Sequence, residues 1–468
     1  MKTLRGRPAA AILILAGVIY LVLLTAGLVW LHLSPGIVLC LTLGGIAVPL
    51  LCLRPIIGAH LFVMTLYVES SFAQDVLVMK AIGAAVLTSW LLNVAVRRTV
   101  KLNLNALTVA MVLLVTWCGV TAIFAENAQM AILRTFQFVQ LVVAALMFSS
   151  VLDTTSKIRG VYAAIVLWTC IATVVAIVMY YMGMTRVAQG FLQNRNALAM
   201  YIIIGIICAY VLYQAARSAV GKVIFLSTFP VFFLGIALTL SRTGLIMLMV
   251  ALLLVWFRLA RERRFFVIGS TLVVLCLVSF LLPDTFWKRA GSIVPAIERQ
   301  EDTFGLRVKI WKVGIQMVKE HPVTGVGGGN FLLSFGRYAE GRFLWRHLSP
   351  HNAYVGMAAE TGLVGLGLLI LVLLLGMATA RSAIRAGIIA GNPEVRFFAV
   401  VAEVTIFANV VGCFTGDGEA QKIMWIMFGV ALSLGRLGQE ALEHHEAAPS
   451  VLQKKSLPVD APAWGVVP

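Results

Sequence analysis

Long apolar runs recur along this chain and restrict it to one class of fold. Runs of about 18 to 22 residues have the length that a helix needs to cross the hydrocarbon core of a membrane, and only a helix satisfies its backbone hydrogen bonds within such a run. Since 60% of the 468 residues are hydrophobic and 12% are charged, the chain lacks the polar surface of a soluble protein. The sequence predicts an all-α polytopic membrane protein.

The apolar runs predict about twelve transmembrane helices, or fourteen if every run crosses. The first run follows a basic segment, but it is too long for a cleaved signal peptide and is expected to be retained. The run at 55–68 is short, and a hairpin over 36–68 that does not cross would leave twelve. The predicted runs are 9–30, 36–53, 55–68, 76–96, 104–124, 131–151, 161–183, 197–215, 223–240, 243–257, 266–282, 353–379, 397–414 and 423–434.

Basic residues fall in alternate loops and predict the topology. With the basic N-terminus inside, every second loop carries Lys or Arg, as the positive-inside rule requires. Both termini are therefore expected in the cytoplasm, and the segment 283–350 becomes one large loop outside. The expected domains are the N-terminal helices 1–282, the loop 283–350, the three last helices 351–437 and a disordered cytoplasmic tail 438–468.

The large loop breaks the charge rule. It holds ten basic and six acidic residues, and an outside surface that retains cations is suited to anions such as lipid phosphates or diphosphates. The alternative is solvated charge on a soluble loop, because long loops escape the rule.

Within this loop, residues 303–320 have helical periodicity. One stripe carries Lys309, Lys312, Gln316 and Lys319, and another, apolar stripe carries Phe304, Val308, Trp311, Ile315 and Val318. An amphipathic helix along the outer membrane face is expected. Arg307 points toward the apolar stripe, where it binds a ligand, makes a cation–π contact with Trp311 or extends its charged end to the headgroups. The following "TGVGGGNF" lacks the Lys-Ser/Thr ending of a nucleotide loop and predicts a tight turn that approaches a neighbour.

Two further polar features lie on the same predicted side. Arg242 is an isolated cation at the short junction "SRTG", where it either clamps an anion or extends to the headgroups. His351 starts a predicted membrane helix and is followed by Asn352. A neutral imidazole at this boundary can accept a proton from a hydroxyl, or it can simply bind headgroups. Glu360 lies nine residues deeper and is expected to join a polar network, as is Glu403.

Metal chemistry finds little support in the sequence. No DxD spacing occurs among the outside carboxylates. A metal-independent site without a cofactor is expected.

The residues around His351 carry a resemblance to a known family. His351, Asn352, nine residues, Gly362, two residues and Gly365 resemble the H[NSQ]-x9-G-x-x-[GTY] motif of O-antigen ligases. "GFLQNRNALA", "SRTG", "RVKIW" and "HPVTGVGGGNF" precede it in the order typical of the O-antigen ligase and polymerase superfamily, so that the resemblance spans residues 190–370. One departure is Trp311 four residues after Arg307, where the family often has leucine.

The resemblance implies a glycosyltransferase of the GT-C type at the periplasmic face of the bacterial inner membrane. The donor would be a glycan on undecaprenyl diphosphate and the acceptor the lipid A core, with membrane lipids as neighbours and no nucleic acid partner. Arg242 and Arg307 would neutralise the leaving diphosphate, and His351 would deprotonate the acceptor in one inverting displacement. Glu360 would support the site, and the expected substrate-binding residues are Asn352, Asn196, Arg289, Lys312 and Arg346.

Other functions remain open at this point. An O-antigen polymerase or a protein O-oligosaccharyltransferase of the same superfamily would use the same residues with another acceptor. A transporter or flippase would instead need paired charges and broken helices near the bilayer midplane, with internal repeats. The charges here cluster at one face, which favours surface chemistry.

Overall fold

The protein is a bundle of long helices. The computed structural model describes residues 51–68, 76–97, 105–192, 194–258, 269, 272, 303–339, 348–414, 416 and 421–455. No strand occurs among these residues. The helices, numbered in chain order, are α1 (Pro55–Val68), α2 (Val76–Arg97), α3 (Ala106–Thr121), α4 (Ala128–Val151), α5 (Thr155–Tyr181), α6 (Arg195–Ala215), α7 (Ala219–Leu238), α8 (Arg242–Arg258), α9 (Thr303–Glu320), α10 (Phe331–Tyr338), α11 (Ala353–Ile389), α12 (Pro393–Gly412) and α13 (Lys422–Lys455).

Six of these helices, α4 to α7, α11 and α12, are long and apolar enough to cross a membrane. Shorter apolar helices occur within α1, α2, α3 and α8. The all-helical, membrane-spanning fold class is therefore confirmed. The count of twelve and the outside position of the loop stay predictions, because the runs at 9–30 and 266–282 lie almost wholly outside the described residues.

Two C-terminal helices are longer than their apolar runs. Helix α11 continues for ten residues past the predicted end at 379, and α13 continues to Lys455. The disorder expected from residue 438 is therefore wrong as far as Lys455, and the rest of the tail lies outside the described residues. Hydropathy ends where the lipid contact ends, whereas a helix of good helix formers such as Ala, Leu, Glu and Gln can continue into water.

Helix α6 lies at the centre of the bundle. In its most apolar window 78% of the residues are buried, compared with 28% in α7. Small residues bring the neighbouring helices close to it. A Cβ on Gly205 would lie 2.8 Å from a Thr169 carbon of α5, and one on Gly244 of α8 would lie 2.5 Å from Ala199. Close packing by small residues is typical of helices in membranes, where lipid supplies no hydrophobic driving force between them.

Helices α9 and α10 form a second, smaller core beside the bundle. Ile310 and Met317 of α9 are buried with Phe331 and Phe335 of α10. Gly314 allows the close approach of α9 to α11, because a Cβ there would lie 2.6 Å from Val355. The predicted helix over 303–320 has the expected bounds, and its lysines are exposed. Ile315 of the predicted apolar stripe is 49% exposed, and the position of this helix along the membrane face stays a prediction.

The opposite end of the bundle is held by a buried carboxylate. Glu403 of α12 is 3% exposed, and it accepts hydrogen bonds from Arg258 Nε of α8 at 2.8 Å and Arg381 Nε of α11 at 2.6 Å. Three helices therefore meet at one carboxylate. A charge at this depth is tolerated only when it is paired.

We expect Glu403→Gln to lower the free energy of unfolding by about 3 kcal/mol, because it leaves two guanidinium groups at a partly buried position without their countercharge. Unfolding in mixed micelles with increasing denaturant measures the loss. Glu394→Gln is the matched control. It removes the half-exposed pair with Arg159 at the same end and is expected to cost less than about 1 kcal/mol. Equal losses for the two variants would contradict the role of Glu403.

Candidate active site

The start of α11 is anchored to the end of α12. The amide N–H of Ala353 donates to the carbonyl oxygens of Cys413 at 2.8 Å and Gly416 at 3.0 Å. The Tyr354 hydroxyl donates to the Val410 carbonyl at 2.8 Å. These bonds join the first turn of one helix to the last turn of another, and they fix where the residues before Ala353 lie.

His351 immediately precedes this anchored turn. Its φ is 47°, a left-handed backbone that few non-glycine residues adopt, although histidine does so more readily than most. Asn352 is 5% exposed and caps α11, because its Oδ1 accepts the amide N–H groups of Tyr354 at 3.0 Å and Val355 at 3.1 Å. The imidazole of His351 is exposed. The main chain around the histidine is therefore fixed while its ring remains accessible.

Helix α9 contacts the residue before the histidine. The indole Nε1–H of Trp311 donates to the carbonyl oxygen of Pro350 at 3.0 Å. Arg307 precedes Trp311 by four residues, so its side chain leaves the helix on the same side. Arg307 is half-buried, whereas Lys312 is exposed on another side of the helix. Helix α9 thus brings two basic side chains, the half-buried Arg307 and the exposed Lys312, to the region of His351.

The "SRTG" junction lies at the same end of the bundle. The Ser241 hydroxyl caps α8 by accepting the Gly244 amide N–H at 3.0 Å, and it lies 2.8 Å from Asn196 Oδ1 at the start of α6. Arg242 is the first residue of α8, and its side chain lies outside the described residues. Helix α8 contacts the end of α12, because a Cβ on Gly412 would lie 3.1 Å from Met247.

Helix α11 is kinked at Gly362. The φ of Gly362 is 72° and its ψ is −177°, a conformation open essentially to glycine alone. A Cβ at this residue would also lie 1.9 Å from the Val323 carbonyl oxygen. Gly365 is equally restricted, since a Cβ there would lie 1.9 Å from Thr361 Oγ1. Steric crowding therefore explains why glycine occupies these two positions of the sequence motif.

The glycine-rich turn supplies the hydrogen bonds that the kink removes. Amide N–H groups of Val326 and Gly327 donate to the carbonyl oxygens of Ala359 and Glu360, both at 2.9 Å. The Leu363 amide donates to the Pro322 carbonyl at 2.8 Å, and the Trp117 indole of α3 donates to the Thr361 carbonyl at 2.8 Å. The expected approach of this turn to a neighbour is therefore an approach to α11 itself.

Glu360 lies at the kink and has a basic neighbour. Its Oε2 lies 4.0 Å from Nε of Arg134 on α4, and both side chains are largely buried. Its Oε1 accepts the Phe331 amide N–H at the start of α10 at 3.3 Å. The guanidinium carbon of Arg134 lies 5.1 Å from the ring centroid of Phe138. Glu360 on α11 therefore contacts both α4 in the N-terminal half of the chain and the start of α10.

The predicted site residues divide into three groups. His351, Asn352, Asn196 and the backbone of Arg242 meet at one end of the bundle, with Arg307 and Lys312 on α9 beside them. Glu360 lies seven residues after Ala353, about 10 Å along the helix axis, and so does not orient the imidazole. Arg289 and Arg346 lie outside the described residues.

No group of three or more metal-binding side chains occurs in the part of the chain that the structure describes. The metal-independent site stays a prediction. Outside the motif, burial in the small core raises the pKa of the Tyr338 phenol, and the Glu320 carboxylate adds to the rise. This phenol therefore stays protonated near neutral pH.

Arg134 and the donor role of Trp311 are the features that sequence reasoning missed. Arg134 is a single cation in the apolar run "AILRTFQFVQ", and an intramembrane charge of this kind is a signal for a buried partner. Nothing in the sequence identifies Pro350 as the acceptor of the Trp311 N–H.

We expect Gly362→Ala to lower the free energy of unfolding by at least about 3 kcal/mol, because it combines backbone strain with overlap of the Val323 carbonyl. Gly367→Ala is the control in the same helix, since a Cβ there meets nothing within 4 Å, and it should stabilise α11 by up to about 1 kcal/mol. Unfolding in micelles measures both, and a tolerated Gly362→Ala would refute the steric explanation.

Comparison with known proteins agrees with the motif. Residues 226–370 match a family model described as O-antigen ligase. The matched segment begins within α7 and ends at residue 370, past the kink of α11. It includes the "SRTG" junction, α8, α9, the glycine-rich turn and α10. No curated protein matches the chain. Together with the apolar helices, the match shows that this multi-pass membrane protein carries, at residues 226–370, a domain of the O-antigen ligase/polymerase superfamily.

Proposed function

We propose that the protein is an O-antigen ligase. It transfers a glycan from undecaprenyl diphosphate to a hydroxyl of the lipid A core at the periplasmic face of the bacterial inner membrane. The observation that carries the proposal is the accessible imidazole of His351 on a fixed backbone, beside the helix that bears Arg307. The family match supports the chemistry at a coarser level, as a membrane glycosyltransferase that acts on lipid-linked glycans.

His351 acts as the general base. An imidazole nitrogen takes the proton of the acceptor hydroxyl while its oxygen attacks the anomeric carbon of the donor. The bond from that carbon to the diphosphate oxygen breaks in the same step, and the configuration inverts because no covalent enzyme intermediate forms. At the end of the step His351 carries the proton, and undecaprenyl diphosphate departs as an anion.

Arg307 and Arg242 stabilise the departing diphosphate. A diphosphate is a good leaving group once its charge is neutralised, so cations serve it better than a general acid does. Arg307 is supported in this role by its partial burial, since charges interact more strongly where water is excluded. Arg242 is supported by the position of its backbone at the start of α8. No metal ion or other cofactor is needed for this step.

The acceptor is held by the remaining polar groups. The exposed lysine face of α9, to which Lys312 belongs, suits the phosphates of the lipid A core. Arg289 and Arg346 are proposed for the same task from their positions in the basic loop. Asn196 and Asn352 contribute through their amide N–H groups, because their side-chain oxygens already take part in hydrogen bonds at the starts of α6 and α11.

We expect purified protein to transfer glycan from undecaprenyl diphosphate to rough lipopolysaccharide, with the same rate after chelation of divalent metals. His351→Ala should lower the rate by about 10²- to 10⁴-fold, the usual contribution of a general base. Gel analysis of the product measures transfer. Lengthening of the glycan on undecaprenyl diphosphate would instead identify a polymerase, and transfer to a protein would identify an oligosaccharyltransferase. Full activity of His351→Ala would refute the base.

We expect Arg307→Gln and Lys312→Gln to affect different substrates. Arg307→Gln should lower kcat by about 10²- to 10³-fold, as removal of an anion-stabilising donor does. Lys312→Gln should mainly raise the KM for the phosphorylated acceptor, and only for that substrate, because one exposed charge contributes modestly to binding. Steady-state kinetics with each substrate varied separates the two. Lys222→Gln, an exposed lysine at the opposite end of the bundle, is the control and should change neither constant.

A further inference from the structure

Hydrogen bonds with other residues fix the backbone on both sides of His351. After the histidine, the Ala353 amide and the Asn352 cap are hydrogen-bonded. Before it, the Pro350 carbonyl accepts the indole N–H of Trp311 at 3.0 Å. Of these contacts, the one from Trp311 comes from the loop helix α9 and not from the bundle.

The Pro350 carbonyl determines the orientation of the histidine. The peptide group between Pro350 and His351 is planar. The hydrogen bond from Trp311 to its oxygen therefore fixes the orientation of that plane, from which φ of His351 is measured. That φ is 47°, a value less stable than the ordinary negative φ for a residue with a side chain. Without the bond to the oxygen, the plane can rotate and φ can relax, which would turn the imidazole away from its present direction.

Trp311 also links the base to the cation. It lies one helical turn after Arg307 on α9, and the contact of Gly314 with Val355 presses the same helix against the first turn of α11. A shift of α9 relative to His351 is therefore resisted at two points. The separation between the group that takes the proton and the group that stabilises the leaving charge depends on both contacts.

We infer that Trp311 is a positioning residue whose indole N–H, by holding the Pro350 carbonyl, keeps His351 in its left-handed conformation and in register with Arg307. The inference rests on the proposed function, because it assigns a task within the same transfer reaction. Trp311 itself touches neither substrate in this role.

The test replaces the donor and keeps the ring. Trp311→Phe removes the N–H, and it should lower kcat by about 10- to 100-fold, the usual effect of a small misplacement of a catalytic group. The KM values for donor and acceptor should change less than about twofold, since no substrate contact is lost. Trp311→Gln restores an N–H donor of similar reach without the ring, and it should recover a large part of kcat.

The matched control is Trp90→Phe. The Trp90 indole donates to the Ser150 hydroxyl at 2.8 Å between α2 and α4, so this variant loses an equivalent bond elsewhere in the bundle. It should leave kcat unchanged even if it lowers the unfolding midpoint as much as Trp311→Phe does. A merely structural Trp311 would give equal kinetics for the two phenylalanine variants, or a Trp311→Gln variant no better than Trp311→Phe.

The outcomes separate this inference from the proposed function. If wild-type protein shows no transfer, or His351→Ala retains full activity, the proposed function fails. If His351→Ala loses activity while Trp311→Phe keeps the wild-type kcat, only the positioning role fails. Should Trp311→Phe not fold, Trp311→Gln alone decides: near wild-type kcat supports the inference, and a folded variant with a strongly reduced kcat overturns it.

Discussion

A helix that breaks inside a membrane exposes backbone groups that lipid cannot satisfy, and α11 breaks at Gly362. The carbonyl groups at the break are satisfied by the turn 322–327 and by the Trp117 indole. The loop can therefore not be moved without leaving buried polar groups unbonded, at a cost of about 1 to 3 kcal/mol each. This requirement holds the loop, α9 and the start of α11 as one unit.

The charges at the kink extend this unit to the N-terminal half of the chain. Arg134 lies on α4, outside the segment that matches the family model, and yet its partner Glu360 lies on the motif helix. A largely buried carboxylate must have its charge balanced. The Glu360 carboxylate is balanced by Arg134 on α4 and by the Phe331 amide N–H at the start of α10. The matched domain is therefore completed by a helix that the match does not include.

The sequence predicted most helices because membrane helices are limited by hydropathy and length alone. It predicted His351, Asn352, Gly362 and Gly365 as a group because they are neighbours in the chain and match a family motif. The contacts from Trp311 to Pro350 and from Arg134 to Glu360 join residues 39 and 226 positions apart, and no periodicity encodes such pairings. The face of α9 that packs on α10 and α11, with Ile310, Gly314 and Met317, was not predicted, because those contacts join distant parts of the chain.

The general base that we propose, His351, must accept and release a proton, and its ring must remain able to do both. In many enzymes a carboxylate orients the imidazole directly, but Glu360 lies about 10 Å along the helix from Ala353 and is committed to the kink. The chain fixes the main chain of His351 instead, through the Asn352 cap, the Ala353 amide and the Trp311 indole. An imidazole oriented by its backbone keeps both nitrogens open to substrate and water. The cost is a strained φ, and the neighbouring hydrogen bonds are what sustain it.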